Sequence, residues 1–311
     1  MTPRILGSLV AGWLLFAQLP AGKVEQVASP AGRRIAVTVD KLPFMEPLGY
    51  WTPREVSNLM LRAFELEEIR AVGFVVEDKV ESRPETYVIL QDWVAKGHGL
   101  GNNTFSYLDL NEVEWREFIE QIADGQKHIR QATRLAKMPL YFRFPMLHEG
   151  DTLSKKTEVA KRLRRNDFVM VPATVLIADY EFNHVYVRVA DDPERTERLL
   201  QAFLKALEAS LEYAEQQSEA VFGRQIPQIL RLHLCLSTAN FLPPALELLK
   251  QRGYSFVSVD EALADPAYSE PETYVGPLGL SFIDRVAATR GLPFREDQGE
   301  VRRRELAAEI E

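Results

Sequence analysis

The chain has 311 residues, of which 46% are apolar and 26% are charged, so it is long enough to bury one sizeable core. A barrel domain of roughly 200 to 250 residues fits this length. The formal net charge of −8 disfavours a surface that binds nucleic acid. The basic run at 161–165 falls on a helical pattern and is interpreted as a solvated helix face.

The N-terminal segment indicates export. Residues 5–20 carry no charge and are mostly apolar, with Arg4 before them and the small residues Ala21 and Gly22 after them. This stretch is shorter than the about 20 residues of a membrane-spanning helix and is typical of a secretory signal; an uncleaved anchor is the alternative. We therefore expect a secreted or periplasmic protein whose residues 1–28 form a signal peptide or an N-terminal anchor with a linker.

Short apolar runs alternate with amphipathic patterns along the rest of the chain. Thr52, Pro53 and Glu55 have the pattern that begins a helix. Strands are predicted at 35–39, 72–76, 140–144, 168–171, 229–234 and 256–259, and helices at 86–96, 111–137, 196–217 and 243–252. This alternation favours parallel strands joined by crossover helices, in either an open sheet or a barrel.

Three motifs lie at or near the ends of predicted strands: residues 38–43 (TVDKLP), 142–145 (FRFP) and 232–233 (LH). A further motif, the second in chain order, is residues 97–107 (GHGLGNNTFSY), which follow the helix predicted at 86–96. In order and spacing they resemble the motifs of the polysaccharide deacetylases, the NodB-homology group or carbohydrate esterase family 4. The resemblance implies a single-domain α/β fold, a distorted (β/α)7 barrel with its site at the carboxyl ends of the strands. We expect this domain to span residues 29–265, with a C-terminal extension and charged tail at 266–311.

The resemblance places a catalytic divalent metal in this family on the second Asp of the first motif and on two histidines of the second. Lys41, Asn103 and Tyr107 stand at those positions. An ammonium group and a neutral phenol are poor ligands for zinc. A catalytic zinc lowers the pKa of its bound water from about 15.7 to about 7, which is worth ~12 kcal/mol. We therefore expect no cofactor, with zinc or another divalent metal only if the site is rearranged.

The resemblance also assigns roles to residues that are retained. Asp40 matches the family's base, Arg143 the arginine that orients it, and His233 the proton donor. Asp179, followed by Tyr180, falls where the family has an Asp-Trp pair. The alternative interpretation is structural, with Asp40 in a buried ion pair with Arg143 or with the neighbouring lysine.

Two other chemistries are open at this point. A Cys–His pair is one, because Cys235 follows His233 by two residues and would share its strand face; Ser106 is a further hydroxyl, within the second motif. The other is a relocated metal. It would be held by one of three histidines together with Asp40: His98, His148 or His233.

Two functional hypotheses follow. The first is a secreted pseudoenzyme with the deacetylase fold, which binds a carbohydrate such as an N-acetylated glycan, or a partner, without metal-dependent hydrolysis. The alternative is an active hydrolase of carbon–nitrogen amide bonds, an N-acetyl sugar deacetylase with a rearranged site. Neither involves nucleic acid, and membrane contact is expected only through an uncleaved N-terminal segment.

Overall fold

Parallel strands form one sheet at the centre of the computed structural model, which describes residues 32–296. The strands are β1 (Arg33–Leu42), β2 (Val72–Val75), β3 (Gly99–Asn102), β4 (Leu140–Phe142), β5 (Phe168–Met170), β6 (Val175–Leu176), β7 (Gln228–His233) and β8 (Tyr254–Phe256). Their order is β5-β4-β3-β2-β1-β7-β6, and β8 pairs with the first residues of β1. Every pair in this part of the chain is parallel, as the sequence predicted.

Helices connect most of the strands. They are α1 (Pro53–Leu66), α2 (Glu77–Ser82), α3 (Tyr87–Ala95), α4 (Trp115–Asp124), α5 (Lys127–Thr133), α6 (Leu153–Arg165), α7 (Asp179–Val189), α8 (Pro193–Phe222), α9 (Leu236–Gln251), α10 (Val259–Leu263) and α11 (Phe282–Thr289). The capping box predicted for α1 is present: the Thr52 hydroxyl accepts from the Glu55 backbone N–H, and the Glu55 carboxylate accepts from the Thr52 N–H.

The central strand β1 directs alternate side chains to opposite faces of the sheet. Val37 and Val39 belong to the core that includes residues of α1 and α9. Ala36 belongs to a separate cluster, with Phe74 of β2 and residues of β4 and β7. Because side chains alternate along β1, Asp40 lies on the same face as Ala36. Its carboxylate is therefore buried, at the carboxyl end of the sheet.

The prediction of a helix at 111–137 is wrong in one respect, because the structure has two shorter helices there, α4 and α5. The break falls at Gly125, where an added Cβ would lie 2.8 Å from the backbone of Thr104. At the break, the Gln126 amide oxygen accepts a hydrogen bond from the Asn102 side chain, which also donates to the carbonyl of Ile122. The interruption therefore allows the chain to pack closely against the second motif.

Helix α9 begins before the predicted start, so Pro243 lies inside it. A proline removes one backbone hydrogen bond from a helix interior. The first turn is held by tertiary contacts, since the Ser237 N–H donates to the Asn183 side chain and the Thr238 hydroxyl donates to Asp179. These contacts to α7 outweigh the local preference of proline for a helix start.

Some predictions fall outside the described residues. These are the signal or anchor at 1–28 and the end of the charged tail at 297–311. Within residues 32–296 no helix has the length and apolar character needed to cross a membrane. Helix α11 packs near the end of α8, where the rings of Phe222 and Phe282 stack with centroids 6.4 Å apart. The domain boundaries stay predictions.

Candidate functional site

Asp40 and Arg143 form a buried ion pair at the carboxyl ends of the strands. Asp40 lies near the end of β1, in register with His233 of β7, and Arg143 directly follows β4. The Arg143 guanidinium donates to the Asp40 carboxylate at 2.8 Å, and the exposed fractions of the two side chains are 0% and 1%. The predicted Asp40–Arg143 pairing is confirmed, whereas the structure forms no ion pair between Asp40 and Lys41.

Arg143 is fixed by more than its carboxylate partner. Its Nη1 also donates to the Thr38 hydroxyl at 2.8 Å, and its Nε and Nη2 donate to the carbonyls of Val171 and Pro172 at 3.1 Å. Thr38 stands two residues before Asp40 on the same strand face. The arginine therefore joins β1 to the end of β5 beneath the surface, and its position depends on several strands at once.

Arg231 is a site residue that the sequence interpretation missed. Its Nε lies 3.8 Å from Asp40 Oδ2, which is too long for a hydrogen bond. Both atoms are buried and make no hydrogen bond within the described residues. Arg231 precedes His233 by two residues in β7, so the period of the strand could have placed both side chains on one face.

The residues at the three predicted metal positions make contacts within the protein. The Asn103 amide donates to the carbonyl of Arg143 at 3.0 Å, and the Tyr107 hydroxyl accepts from the Met146 N–H at 3.2 Å. The Lys41 ammonium lies 4.1 Å from the centroid of the Tyr107 ring, a cation–π contact. Lys41 thus contacts the residue at another of the predicted metal positions.

The donors at these positions do not fit a divalent metal. Burial raises the pKa of Tyr107 to about 12, so its phenol is neutral. Burial lowers the pKa of Lys41, as does Arg231, while Asp40 opposes the shift; the amine still brings no negative charge. Asn103 offers one amide oxygen, which has no hydrogen-bond partner within residues 32–296. A neutral amide oxygen alone is too weak a ligand to hold zinc.

Strained backbone accompanies the same residues. Lys41 has φ 64°, Tyr107 φ 61° and Met146 φ 54°. Side chains with a Cβ rarely adopt this left-handed conformation, and each such residue costs on the order of 1 kcal/mol or more. The strain falls on residues that line a common cleft.

His233 is oriented by Asp179 at the start of α7. Asp179 Oδ1 accepts from His233 Nδ1 at 2.6 Å, and Oδ2 accepts from the His233 backbone N–H at 2.6 Å. The Thr238 hydroxyl donates to the same carboxylate at 2.8 Å. Because Nδ1 donates to Asp179, Nε2 is the nitrogen of His233 that stays free for a ligand. The Tyr180 ring stands edge-on to this imidazole at 5.3 Å.

Other candidate groups serve the core or the surface. Cys235 is buried and contacts the Thr238 hydroxyl, and burial raises the pKa of its thiol to about 12, which argues against a nucleophilic thiolate. Ser106 is exposed and bonds to the Gln121 side chain. His98 packs against aromatic rings and accepts from a backbone N–H through Nδ1.

The relocated metal site is not supported by the geometry. His148 lines the cleft, but its Nδ1 bonds to Asp109 at 2.8 Å. Within the described part of the chain, one group of three potential ligand atoms lies within 4.8 Å: Glu77, Glu81 and His128. It includes neither Asp40 nor His233, and none of its members lines the cleft.

A cleft of about 730 Å³ opens above the buried ion pair. Charged and aromatic residues line part of it, and the apolar segment at 176–178 lines another part. The lining includes Lys41, Tyr107, Tyr180, Arg231 and His233, whereas Asp40 and Arg143 are not among the lining residues. The cleft therefore presents cations and an imidazole, with the retained carboxylate enclosed beneath them.

Known proteins resemble this chain in sequence over part of its length and in structure over most of it. Residues 28–164 match the family model described as polysaccharide deacetylase, and no curated protein matches the chain. The chitin deacetylase of the fungus Colletotrichum lindemuthianum is similar in structure at a TM-score of 0.51 and 20% identity, over 74% of this chain and 87% of that chain. This likeness confirms the predicted (β/α)7 barrel fold.

Two bacterial structures give lower scores. BA3943 of Bacillus anthracis, described as a CE4 family pseudoenzyme, has a TM-score of 0.47 at 17% identity, over 76% of this chain and 67% of that chain. PdaA of Bacillus subtilis, described as a family 4 carbohydrate esterase, has a TM-score of 0.49 at 17% identity, over 76% and 82%. Residues 28–164 are thus similar in sequence to the polysaccharide deacetylases.

Proposed function

We propose that this protein binds a carbohydrate in the cleft above Asp40 and does not catalyse metal-dependent deacetylation. The proposal rests on the side chains that stand at the three predicted metal-ligand positions and on the contacts that they make. Lys41, Asn103 and Tyr107 contact one another or the protein backbone, and none offers an anionic donor. A divalent ion placed there would lie beside two cations, Lys41 and Arg231.

The reaction of the family needs an activated water and a stabilised oxyanion, and a metal supplies both. A lysine ammonium can stabilise an oxyanion through charge and hydrogen bonds. It cannot lower the pKa of a water molecule by direct coordination. The retained base is also enclosed, because Asp40 is bonded to Arg143 and is about 1% exposed. This supports a role for Asp40 in holding the site rather than in proton transfer.

The walls of the cleft suit a sugar ring. Tyr180 and Tyr107 supply aromatic surface, residues 176–178 supply apolar surface, and His233 supplies a polar nitrogen. Pockets for small ligands commonly combine apolar walls with a few polar groups that fix orientation. The family's substrates are N-acetylated polysaccharides, so we propose an N-acetylated glycan as the ligand class.

The first experiment measures metal, turnover and binding on one preparation. We expect no stoichiometric zinc by elemental analysis and no acetate release from chitohexaose, together with measurable binding of that oligosaccharide by calorimetry. Stoichiometric metal with acetate release would refute the loss of catalysis, and absence of binding would refute the carbohydrate role.

A restored variant tests whether the ligands alone were lost. Replacing Lys41→Asp, Asn103→His and Tyr107→His together returns the family's residues to their positions. We expect this variant to bind zinc when titrated, with acetate release as the second readout. A folded variant that binds no zinc would show that the cleft itself has diverged.

The alternative, a hydrolase of carbon–nitrogen amide bonds with a rearranged site, draws support from one observation. The Asp179–His233 pair keeps the arrangement expected of an oriented proton donor. Under this alternative, His233→Ala and Asp40→Ala each abolish a measurable release of acetate. If both variants release acetate at the same rate as the native protein, the hydrolase alternative is refuted.

We also propose that the protein acts outside the cytoplasm, on the strength of the apolar N-terminal stretch. Mass spectrometry of the N-terminus in separated cell fractions tests this. A mature chain that starts near residue 28 in the periplasm or medium supports export, and an intact N-terminus in the cytosol contradicts it.

A further inference from the structure

The floor of the cleft carries more positive than negative charge. Lys41 and Arg231 line the cleft, and Arg143 lies beneath them against Asp40. The nearby Asp179 is bonded to His233. The two arginines and the lysine are three cations against two carboxylates, which leaves one positive charge uncompensated.

Among the described residues, the side chains of the two lining cations also have no hydrogen-bond partner. Within residues 32–296, Lys41 makes a cation–π contact with Tyr107 but no hydrogen bond or ion pair. The Nε of Arg231 is buried without a partner, and Asp40 Oδ2, which also lacks one, is 3.8 Å away. Partly buried cations without hydrogen-bond partners are unfavourable, and an anion that bonds to both side chains would offset that cost.

We infer that Lys41 and Arg231 form a binding site for a carboxylate carried by the sugar ligand. The inference rests on the proposed carbohydrate-binding function and specifies its ligand. A carboxylate carries the single negative charge that the floor lacks, whereas a phosphate monoester would bring about two. Its two oxygens can accept from an ammonium and a guanidinium at the same time.

The chain's own carboxylate at the cleft does not occupy this site. Glu296 is the acidic side chain among the described lining residues, and it is exposed. Within the described residues it forms no ion pair with Lys41 or Arg231 at 4.0 Å or less. The described lining residues therefore leave the pair open to a carboxylate from a ligand.

The test compares matched oligosaccharides by calorimetry. Chitohexaose is measured beside a counterpart whose C6 hydroxymethyl groups have been oxidised to carboxylates, and beside a C6-sulfated counterpart. We expect the carboxylated ligand to bind about tenfold more tightly than chitohexaose, because charge-assisted hydrogen bonds are roughly twice as strong as neutral ones. The preference should weaken as salt rises.

Variants assign the effect to the two side chains. Lys41→Gln and Arg231→Gln should each reduce the affinity for the carboxylated ligand, and the ratio of that affinity to the affinity for chitohexaose, by about fivefold or more. Lys127→Gln, at an exposed lysine paired with Glu81, is the matched control and should change neither. If Arg231→Gln does not fold, Arg231→Lys keeps the charge and should retain most of the preference.

The outcomes separate the two proposals. Equal affinity for the neutral and carboxylated ligands would overturn the carboxylate site and leave carbohydrate binding in place. Tighter binding of the sulfated ligand than of the carboxylated one would overturn the choice of carboxylate. No binding of any oligosaccharide would overturn the carbohydrate-binding function, and the carboxylate site with it.

Discussion

The substitution Asp40→Asn tests whether the site is organised around a buried ion pair. In the native protein the carboxylate lies 2.8 Å from Arg143 and 3.8 Å from Arg231. At an effective dielectric constant of about 20, unit charges at these separations attract by about 6 and about 4 kcal/mol. Asn keeps an acceptor for Arg143 but removes both attractions, so three cations are left without the carboxylate between them.

The net loss of stability should be smaller than these gross attractions, because the native pair also carries a desolvation cost. Removal of one partner from a buried pair typically costs about 3–5 kcal/mol. We expect a decrease of this size in the free energy of unfolding, measured by guanidinium denaturation with an unchanged slope. The double variant Asp40→Asn with Arg143→Met should be less destabilised than the sum of the two single changes, because it leaves no unpaired Arg143.

An exposed pair provides the control. Asp92 accepts from Arg54 at 3.0 Å on the surface, and Asp92→Asn should cost at most about 1 kcal/mol. If Asp40→Asn costs no more than this control, the buried pair does not organise the site and the reasoning fails.

Three further predictions concern other groups. Burial lowers the pKa of His98 to about 4 from 6.5. Between these pH values the unfolded chain binds a proton that the folded chain does not bind, so the free energy of unfolding should fall by about 3 kcal/mol as the pH drops from 6.5 to 4. Denaturation curves recorded across that pH range measure this loss. The Cys235 thiol should react with Ellman's reagent in the unfolded chain only, because it is buried with a raised pKa. Gly279→Ala should lower the free energy of unfolding of the protein by about 1–3 kcal/mol, because the added Cβ would lie 2.0 Å from the Met146 carbonyl oxygen. Thermal unfolding measures this change.

Each of these has a matched comparison. His98→Gln should flatten the acid-dependent loss, whereas His184→Gln, at an exposed position on α7, should leave it unchanged; equal slopes in both variants would exclude His98 as the cause. Rapid modification of the native Cys235 would contradict its burial. Gly32→Ala meets no atom within 4 Å, and a loss there as large as at Gly279 would argue against the steric reason.

Much of the fold follows from local signals in the sequence. Short apolar runs placed β1 and β7, and the capping pattern at Thr52 placed the start of α1. The same runs placed Asp40 and His233 at strand ends, and the structure pairs these two residues in register. These features depend on residues close in the chain, which is why the sequence alone could locate them.

The contacts between distant segments were harder to predict. Arg231 sat inside a run interpreted as a buried apolar strand, so its approach to Asp40 was missed. His98 was a candidate ligand until the structure placed it against Phe64 and Trp93. Which cation neutralises a carboxylate depends on the packing of β1, β4 and β7, and no local pattern encodes that choice.

The backbone turn at Lys41 and Tyr107 has a consequence for redesign. Asn, Asp and His are enriched several-fold among residues with a left-handed φ, and Asp and His are what the deacetylases place at these positions. The left-handed backbone at these two positions therefore suits Asp and His side chains better than it suits lysine and tyrosine. A designer who wishes to recover a metalloenzyme from this barrel can leave the main chain as it is and change side chains alone.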